Sequence, residues 1–444
     1  MAHGAFTRRA AARGGAALFG TLAVACGGPP AGGDGGSAQS RPPAEVEFAN
    51  STSAGDPTRE GNWDTLIAGF TQAHPWITVK KQYVRDTEYY DKMVVEAAAG
   101  TLPDVVSNRS DKMESWAAGG MLLPLDDLVG RKDFRFDDFS AEAKKIGQFK
   151  GRTLGVPRQL SVYVLYYNKD LFDKAGVPYP DARLTWSSLL DAAKRLTADT
   201  TGDGKADQWG YLITANIKMW LTLMWSNGGD YMDRNKTVST VQTREATEAV
   251  QQYLDLIHVH RVAPTATELP QTGNAGFQTG SVGMYVALEG YVNTMRQRAN
   301  FGWDVAPVPA GRAARATPFE AGLYCLAATT RVKEDAFRLL SHMVSTESQD
   351  FYARQGTFPS RQSSLKTFAE SGGGQPPANL AVVAETAARY ARYWPVTTTW
   401  DELSKEWNTI MDKALRGEAT ATQAHAELKP VFDRLLQEHQ RLMK

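Results

Sequence analysis

The stretch Asp199-Thr-Thr-Gly-Asp203-Gly204-Lys-Ala-Asp207 puts oxygen ligands at positions 1, 3, 5 and 9 (Asp199, Thr201, Asp203, Asp207), with glycine at position 6. That spacing follows the start of a calcium loop. Gly210 stands where a bidentate Glu is expected, and Thr201 where a carboxylate or amide is usual. Weak calcium binding and a tight turn closed by Asx-type hydrogen bonds are therefore both open. His258 and His260 are the only close histidine pair, and their i, i+2 spacing sends them to nearly opposite sides of a helix, which does not suit a shared metal. There is no HExxH, no G-x-S-x-G, no P-loop and no G-x-G-x-x-G after a strand. Two carboxylates far apart in sequence could still hydrolyse a glycoside, so a secreted carbohydrate-active enzyme remains an alternative. No cofactor is indicated. The aromatic supply, 11 Trp, 16 Tyr and 17 Phe, suits either a core or a ligand cleft.

The chain has 444 residues, with 49 basic and 49 acidic side chains. That length suggests two or three domains, and the zero balance argues against a nucleic-acid partner. Residues 1–26 read as an export signal: Arg8, Arg9 and Arg13 precede a short apolar stretch that is too short to span a bilayer. The stretch ends Leu22-Ala23-Val24-Ala25-Cys26, which resembles a lipobox with Cys26 as the lipidated residue, although Ala23 departs from the usual Leu or Val. An ordinary signal peptide cut at Ala23-Val24-Ala25 is the alternative, and both the general and the twin-arginine export routes are open. Removing the three arginines leaves 46 basic against 49 acidic residues, a net charge of −3. Residues 27–44 hold six Gly and four Pro and read as a flexible tether of roughly 25 Å reach. The second cysteine, Cys325, sits in an apolar run and is expected to be a small buried hydrophobe.

The elements that position any site alternate strand and helix. Val46 and Phe48 open a strand, and Trp63, Leu66, Ile67 and Phe70 form a helical stripe. A strand at 77–79, a helix through Tyr90, Met93, Val94 and Ala97, and a strand at Val105-Val106 follow. A second unit starts near residue 158 with the continuous apolar run Val162 to Tyr167. Thr185 is the predicted N-cap of a helix carrying Leu189, Ala193 and Leu196. Helices are predicted at 217–226 and 243–258, strands near 282–286 and 303–308, and a mostly helical last hundred residues. The class is α/β with parallel pairing and crossover helices.

The order of motifs resembles the extracellular solute-binding proteins, family 1, of ABC sugar importers. The likeness runs over 45–444 and is carried by His74-Pro75-Trp76-Ile77-Thr78-Val79, Leu102-Pro103-Asp104-Val105-Val106, Tyr166-Tyr167-Asn168-Lys169-Asp170-Leu171-Phe172, Phe277 to Met284, and Trp303 to Pro309. It implies a two-lobed periplasmic-binding-protein-like fold of type II, with a ligand cleft between hinged lobes. It also implies discontinuous lobes, one from 45–157 plus 305–352 and the other from 158–304 plus 353–444. The implied protein is no enzyme. It is a monomer at the outer face of the cytoplasmic membrane, or periplasmic, which binds a carbohydrate and delivers it to the permease subunits. The same fold could instead take a non-sugar or anionic solute such as glycerol phosphate.

Sugars call for rings against their C–H faces and for carboxylates, amides and arginines at their hydroxyls. Loops at the C-terminal ends of strands offer these groups. The candidates are Arg109 and Asp111, Arg158 and Gln159, Glu289 and Tyr291, Glu320 and Gly322, with Trp225, Asn227 and Trp394 from the second lobe. The resemblance makes Tyr291 the replacement for a stacking tryptophan and Gly322 part of a small-residue loop where backbone approaches ligand. At the end of the first strand, Ala49-Asn50-Ser51-Thr52 replaces a family tryptophan and implies a more polar subsite. Trp63, Trp76, Trp186 and Trp407 are expected in the core.

Overall fold

Apolar alternation begins just after the proline pair at 42–43, and so does the first strand. β1 (Ala44–Thr52) pairs in parallel with β2 (Ile77–Arg85) and β3 (Val105–Arg109). The crossovers are α1 (Pro57–Ala73) and α2 (Asp86–Ala98). The α1 stripe is buried throughout, and each such side chain contributes ~1.5–3 kcal/mol. In α2, Tyr90 and Met93 are buried but Val94 is 49% exposed, so its apolar face is narrower than its sequence suggests. A computed structural model describes residues 41–52, 57–269 and 273–444. The signal, Cys26 and tether residues 27–40 lie outside the described residues.

β4 (Gly155–Asn168) is 14 residues long, roughly 46 Å at strand rise, and belongs to two half-sheets. Its first half pairs antiparallel with β8 (Thr317–Leu326), which continues to β3. Its second half pairs with β6 (Val282–Leu288) and with β7 (Trp303–Ala306), and β6 continues to β5 (Trp209–Leu212). The spatial order is β2-β1-β3-β8-β4-β6-β5, with a short β9 (Ala391–Tyr393) beside the start of β8. Two long neighbouring strands therefore join the halves, as in a two-lobed type II fold. β7 lies with the second half-sheet, and β8 pairs back along the first half of β4.

Helices cover both half-sheets. Thr185 caps α3 (Trp186–Leu196) through a capping box with Ser188, as predicted. α4 (Ile217–Asn227), α5 (Arg244–His258), α6 (Tyr291–Arg298), α7 (Lys333–Met343) and α8 (Thr346–Arg354) follow. The chain ends in α9 (Trp400–Leu415) and α10 (Ala421–Leu442). One core joins Val46, Phe48, Trp63 and Phe70 to Phe337 and Leu340 of α7. A larger core takes the second half of β4 with α3, α4, α5, α9 and α10. Trp63 and Trp407 are buried, whereas Trp76 and Trp186 are partly buried against these cores. Cys325 is fully buried in β8, and burial pushes its thiol up to about 12. Among the described residues no helix is long and apolar enough to cross a membrane.

Candidate ligand-binding cleft

The two crossing strands carry the polar residues that sequence reasoning singled out. In register, Gly322 of β8 faces Arg109 of β3 on one side and Gln159 of β4 on the other. Glu320 faces Ser161 in the same ladder. Arg158 lies over Gly322: a Cβ there would come within 3.0 Å of the arginine Nε and 3.1 Å of Cζ. The missing side chain thus makes room for a guanidinium. Arg158 donates from Nη1 to Gln159 Oε1 (2.8 Å), and its Cζ stands 5.5 Å from the Tyr324 ring centroid. Its Nε is buried without a partner among the described residues.

On one side of this ladder sits an ion-paired cluster. Arg109 donates from Nε and Nη2 to both Asp111 carboxylate oxygens, each at 3.0 Å, and its guanidinium covers Tyr90 at 4.5 Å. Lys218 Nζ is 3.0 Å from Glu320 and 4.0 Å from Asp111, and it lies 4.6 Å over the Trp394 ring. Tyr163 donates its hydroxyl to the same Glu320 (2.9 Å). Burial alone would raise the Asp111 carboxyl, but Lys218 and Arg109 outweigh it and hold the group below the usual carboxylate range. A cavity of about 740 Å³ beside the cluster is lined by Asp111, Lys218, Trp400, Asn408 and Asp412. Lys218 was not foreseen. It is the one charged residue of α4, placed in the first turn just after the Asn216 cap, and that isolation is the signal that could have found it.

On the other side a cavity of about 1210 Å³ holds Arg158, Gln159, Glu289 and Tyr291 among its lining. Its size suits a ligand larger than one sugar ring. Glu289 is 3% exposed; its Oε2 accepts from the Val162 N–H (3.1 Å) and its Oε1 from the Ser161 hydroxyl (3.3 Å). Burial raises this carboxyl to about 8, with Glu320 adding to the effect and the hydrogen bonds opposing it. Glu289 is therefore a neutral acid near pH 7. Tyr291 donates to the Asn274 carbonyl (2.6 Å) and packs edge-on against Tyr166 at 5.1 Å. Its ring is wedged into the wall at 4% exposure, so it does not offer the open stacking face expected of it. The same cavity is lined by Thr58, Asn62 and Trp63 of α1, which sequence reasoning did not assign to the site.

At the polar end of β1, Asn50 donates to the Tyr324 hydroxyl (3.2 Å), the Ser51 N–H to Ser107 Oγ (3.1 Å), and the Ser51 hydroxyl to Asp86, while Asn50 Oδ1 is buried without a partner among the described residues. Trp394 is fully buried and presents only its contact with Lys218 and the Tyr393 and Trp400 rings. Trp225 and Asn227 lie at the far end of α4. Trp225 is hydrogen-bonded to Asp230, and Asn227 donates to the Leu223 carbonyl (3.1 Å). Neither lines either cavity.

The calcium-like loop spends its carboxylates on itself. Asp199 accepts from the N–H groups of Gly202 (2.6 Å) and Gly204 (2.7 Å), and Asp207 accepts from Thr200 (2.9 Å). Gly210 is in β5, where a Cβ would sit 2.2 Å from the Ala193 carbonyl oxygen of α3, so no Glu fits at that position. Among the described residues no group of three or more His, Cys, Asp or Glu could hold a metal ion. The Asx-type turn is the arrangement observed.

A family model described as bacterial extracellular solute-binding protein matches residues 65–373. A binding protein of Brucella abortus is 26% identical over 366 residues, 80% of this chain and 85% of its own. An arabinooligosaccharide-binding protein of Halalkalibacterium halodurans is 27% identical over 208 residues, 45% of this chain and 44% of its own. An ABC substrate-binding protein of Listeria monocytogenes, solved in complex with cycloalternan, superposes with a TM-score of 0.79 at 26% identity, covering 89% of this chain and 99% of that one.

Proposed function

We propose, for a chain that belongs to the bacterial extracellular solute-binding proteins, that it captures a carbohydrate in the cleft and delivers it to an ABC permease. The observation that carries this reading is the polar ladder on the crossing strands, where buried acids, arginines and a lysine converge beside two cavities. Sugar hydroxyls need such groups, and a wrong epimer would leave them unpaired. The carbohydrate complex of the Listeria relative supports the same ligand class. The protein performs no bond chemistry. Binding draws together one lobe built on β1 to β3 and a second built on β5 to β7, by bending β4 and β8. After export, a lipidated Cys26 and the tether would hold the protein at the outer face of the membrane.

Incubation of the purified protein with an oligosaccharide panel tests this. Unchanged sugars and a stabilisation of about 2.7 kcal/mol at ligand concentrations 100 times Kd are expected. Turnover of a sugar would establish a carbohydrate-active enzyme instead. Replacing Glu289 or Tyr291 by Ala should weaken binding at least tenfold, about 1.4 kcal/mol. Unchanged affinity in both variants would remove this cavity from the site.

A further inference from the structure

Neutral sugars need hydrogen-bonding groups but no excess of charge. The larger cavity has such an excess: Arg158, Arg296, Arg298 and Arg354 all line it, and among the described residues the only acid in its lining is Glu289. None of these four arginines forms an ion pair among the described residues, in contrast to Arg109, which is spent on Asp111. Two of them are held in place and still hold back a donor. Arg158 is tied to Gln159 through Nη1, and its Nε is buried with no acceptor among the described residues. Arg296 of α6 donates from Nε to the Pro376 carbonyl (2.8 Å), and its Nη2 is likewise buried with no acceptor among the described residues. A buried charged donor left unpaired is costly, so both geometries favour an incoming acceptor that carries negative charge. Arg158 stands on the crossing strand and Arg296 on a helix of the second half, so the two side chains line the cavity from separate elements.

We infer that the larger cavity seats the acidic group of an anionic saccharide, a carboxylate or a phosphate borne on the sugar, against Arg158 and Arg296. The guanidinium fork matches either group through paired N–H donors. Glu289 fits this assignment, because an acid kept neutral by burial neither repels the anion nor cancels the arginines. The inference rests on the carbohydrate reading and narrows it to a charged ligand class.

Calorimetry with the purified protein can separate the two. The probes are digalacturonate, its neutral methyl ester, glucose 6-phosphate, maltotriose and glycerol phosphate. An acidic saccharide should bind at least 100-fold more tightly than a neutral one, with digalacturonate and glucose 6-phosphate distinguishing carboxylate from phosphate. Its affinity should fall as salt rises, a readout that needs no variant. Arg158→Met and Arg296→Met should each cost the acidic ligand at least tenfold, while thermal unfolding of the free protein is unchanged. Neutral sugars binding as tightly as their acidic counterparts would overturn the anion seat and leave the carbohydrate reading standing. Glycerol phosphate binding with no saccharide of either kind would overturn both.

Discussion

The cluster around Lys218 and the cavity around Arg158 are built on the same two strands, yet they handle positive charge in opposite ways. In the cluster, Arg109 and Lys218 are each matched to a buried carboxylate, so charges are neutralised inside the protein. In the cavity, Arg158 and Arg296 keep buried donors without acceptors among the described residues, and the neighbouring acid is neutral. The first arrangement is complete in itself and favours stability and register. The second is incomplete, the feature on which the proposed anion seat rests.

Breaking the cluster should therefore damage the fold more than the recognition. Lys218→Met leaves Glu320 without its cation while Asp111 keeps Arg109, and removing one partner of a buried pair costs about 3–5 kcal/mol. Urea unfolding measures that loss. A stability unchanged from the parent would mean that the cluster is solvated and not structural.

The neutral state of Glu289 has a signature in pH. Its folded value of about 8 lies above the ordinary 4.5, so the folded protein holds a proton that the unfolded chain releases. The associated stability is full below about pH 4.5 and is lost as pH rises to 8, with a slope approaching ~1.4 kcal/mol per pH unit. Glu289→Gln keeps the shape and removes the proton, so the stability profile of that variant should flatten between pH 5 and 8. An identical slope in both proteins would sink the assignment of a neutral acid.

Smaller effects sharpen the contrast. Gly322→Ala pushes a methyl against the Arg158 guanidinium at 3.0 Å. Ligand affinity should drop several-fold, under about 1 kcal/mol, because a long side chain can shift. Equal affinity would mean that the seat of Arg158 is not used in binding. Trp225→Phe should lower stability through its lost contact with Asp230 while moving ligand affinity by less than about twofold. A tenfold loss of affinity would return Trp225 to the site.

Much of this was legible in the sequence, because local patterns are written locally. The Trp63 to Phe70 stripe, the Thr185 cap and the apolar β4 run each declare their element within a dozen residues. Arg109, Asp111, Arg158, Glu289 and Glu320 could be named because they stand at strand ends or on the long strands that join the halves. The separation of Arg158 and Glu289 from the ion-paired cluster of Arg109, Asp111 and Glu320 could not, since it depends on pairings such as Glu289 with Val162 and Lys218 with Glu320, far apart in the chain. Trp225 stands apart from both cavities for a simple reason of length: seven residues beyond Lys218, it lies about 10 Å further along the helix. A strand does begin near 304, and only its pairing with β4 reveals that β7 stays with the second half-sheet.

The adjacency of β4 and β8 has a mechanical consequence. Two strands hydrogen-bonded side by side over seven register positions make a ribbon, stiff against sliding in its own plane and compliant to bending across it. Solutes of different shape filling either cavity would all be converted into one angular displacement. A partner outside need only gauge that angle, so the interior can change its chemistry without any redesign of the surface that reports it.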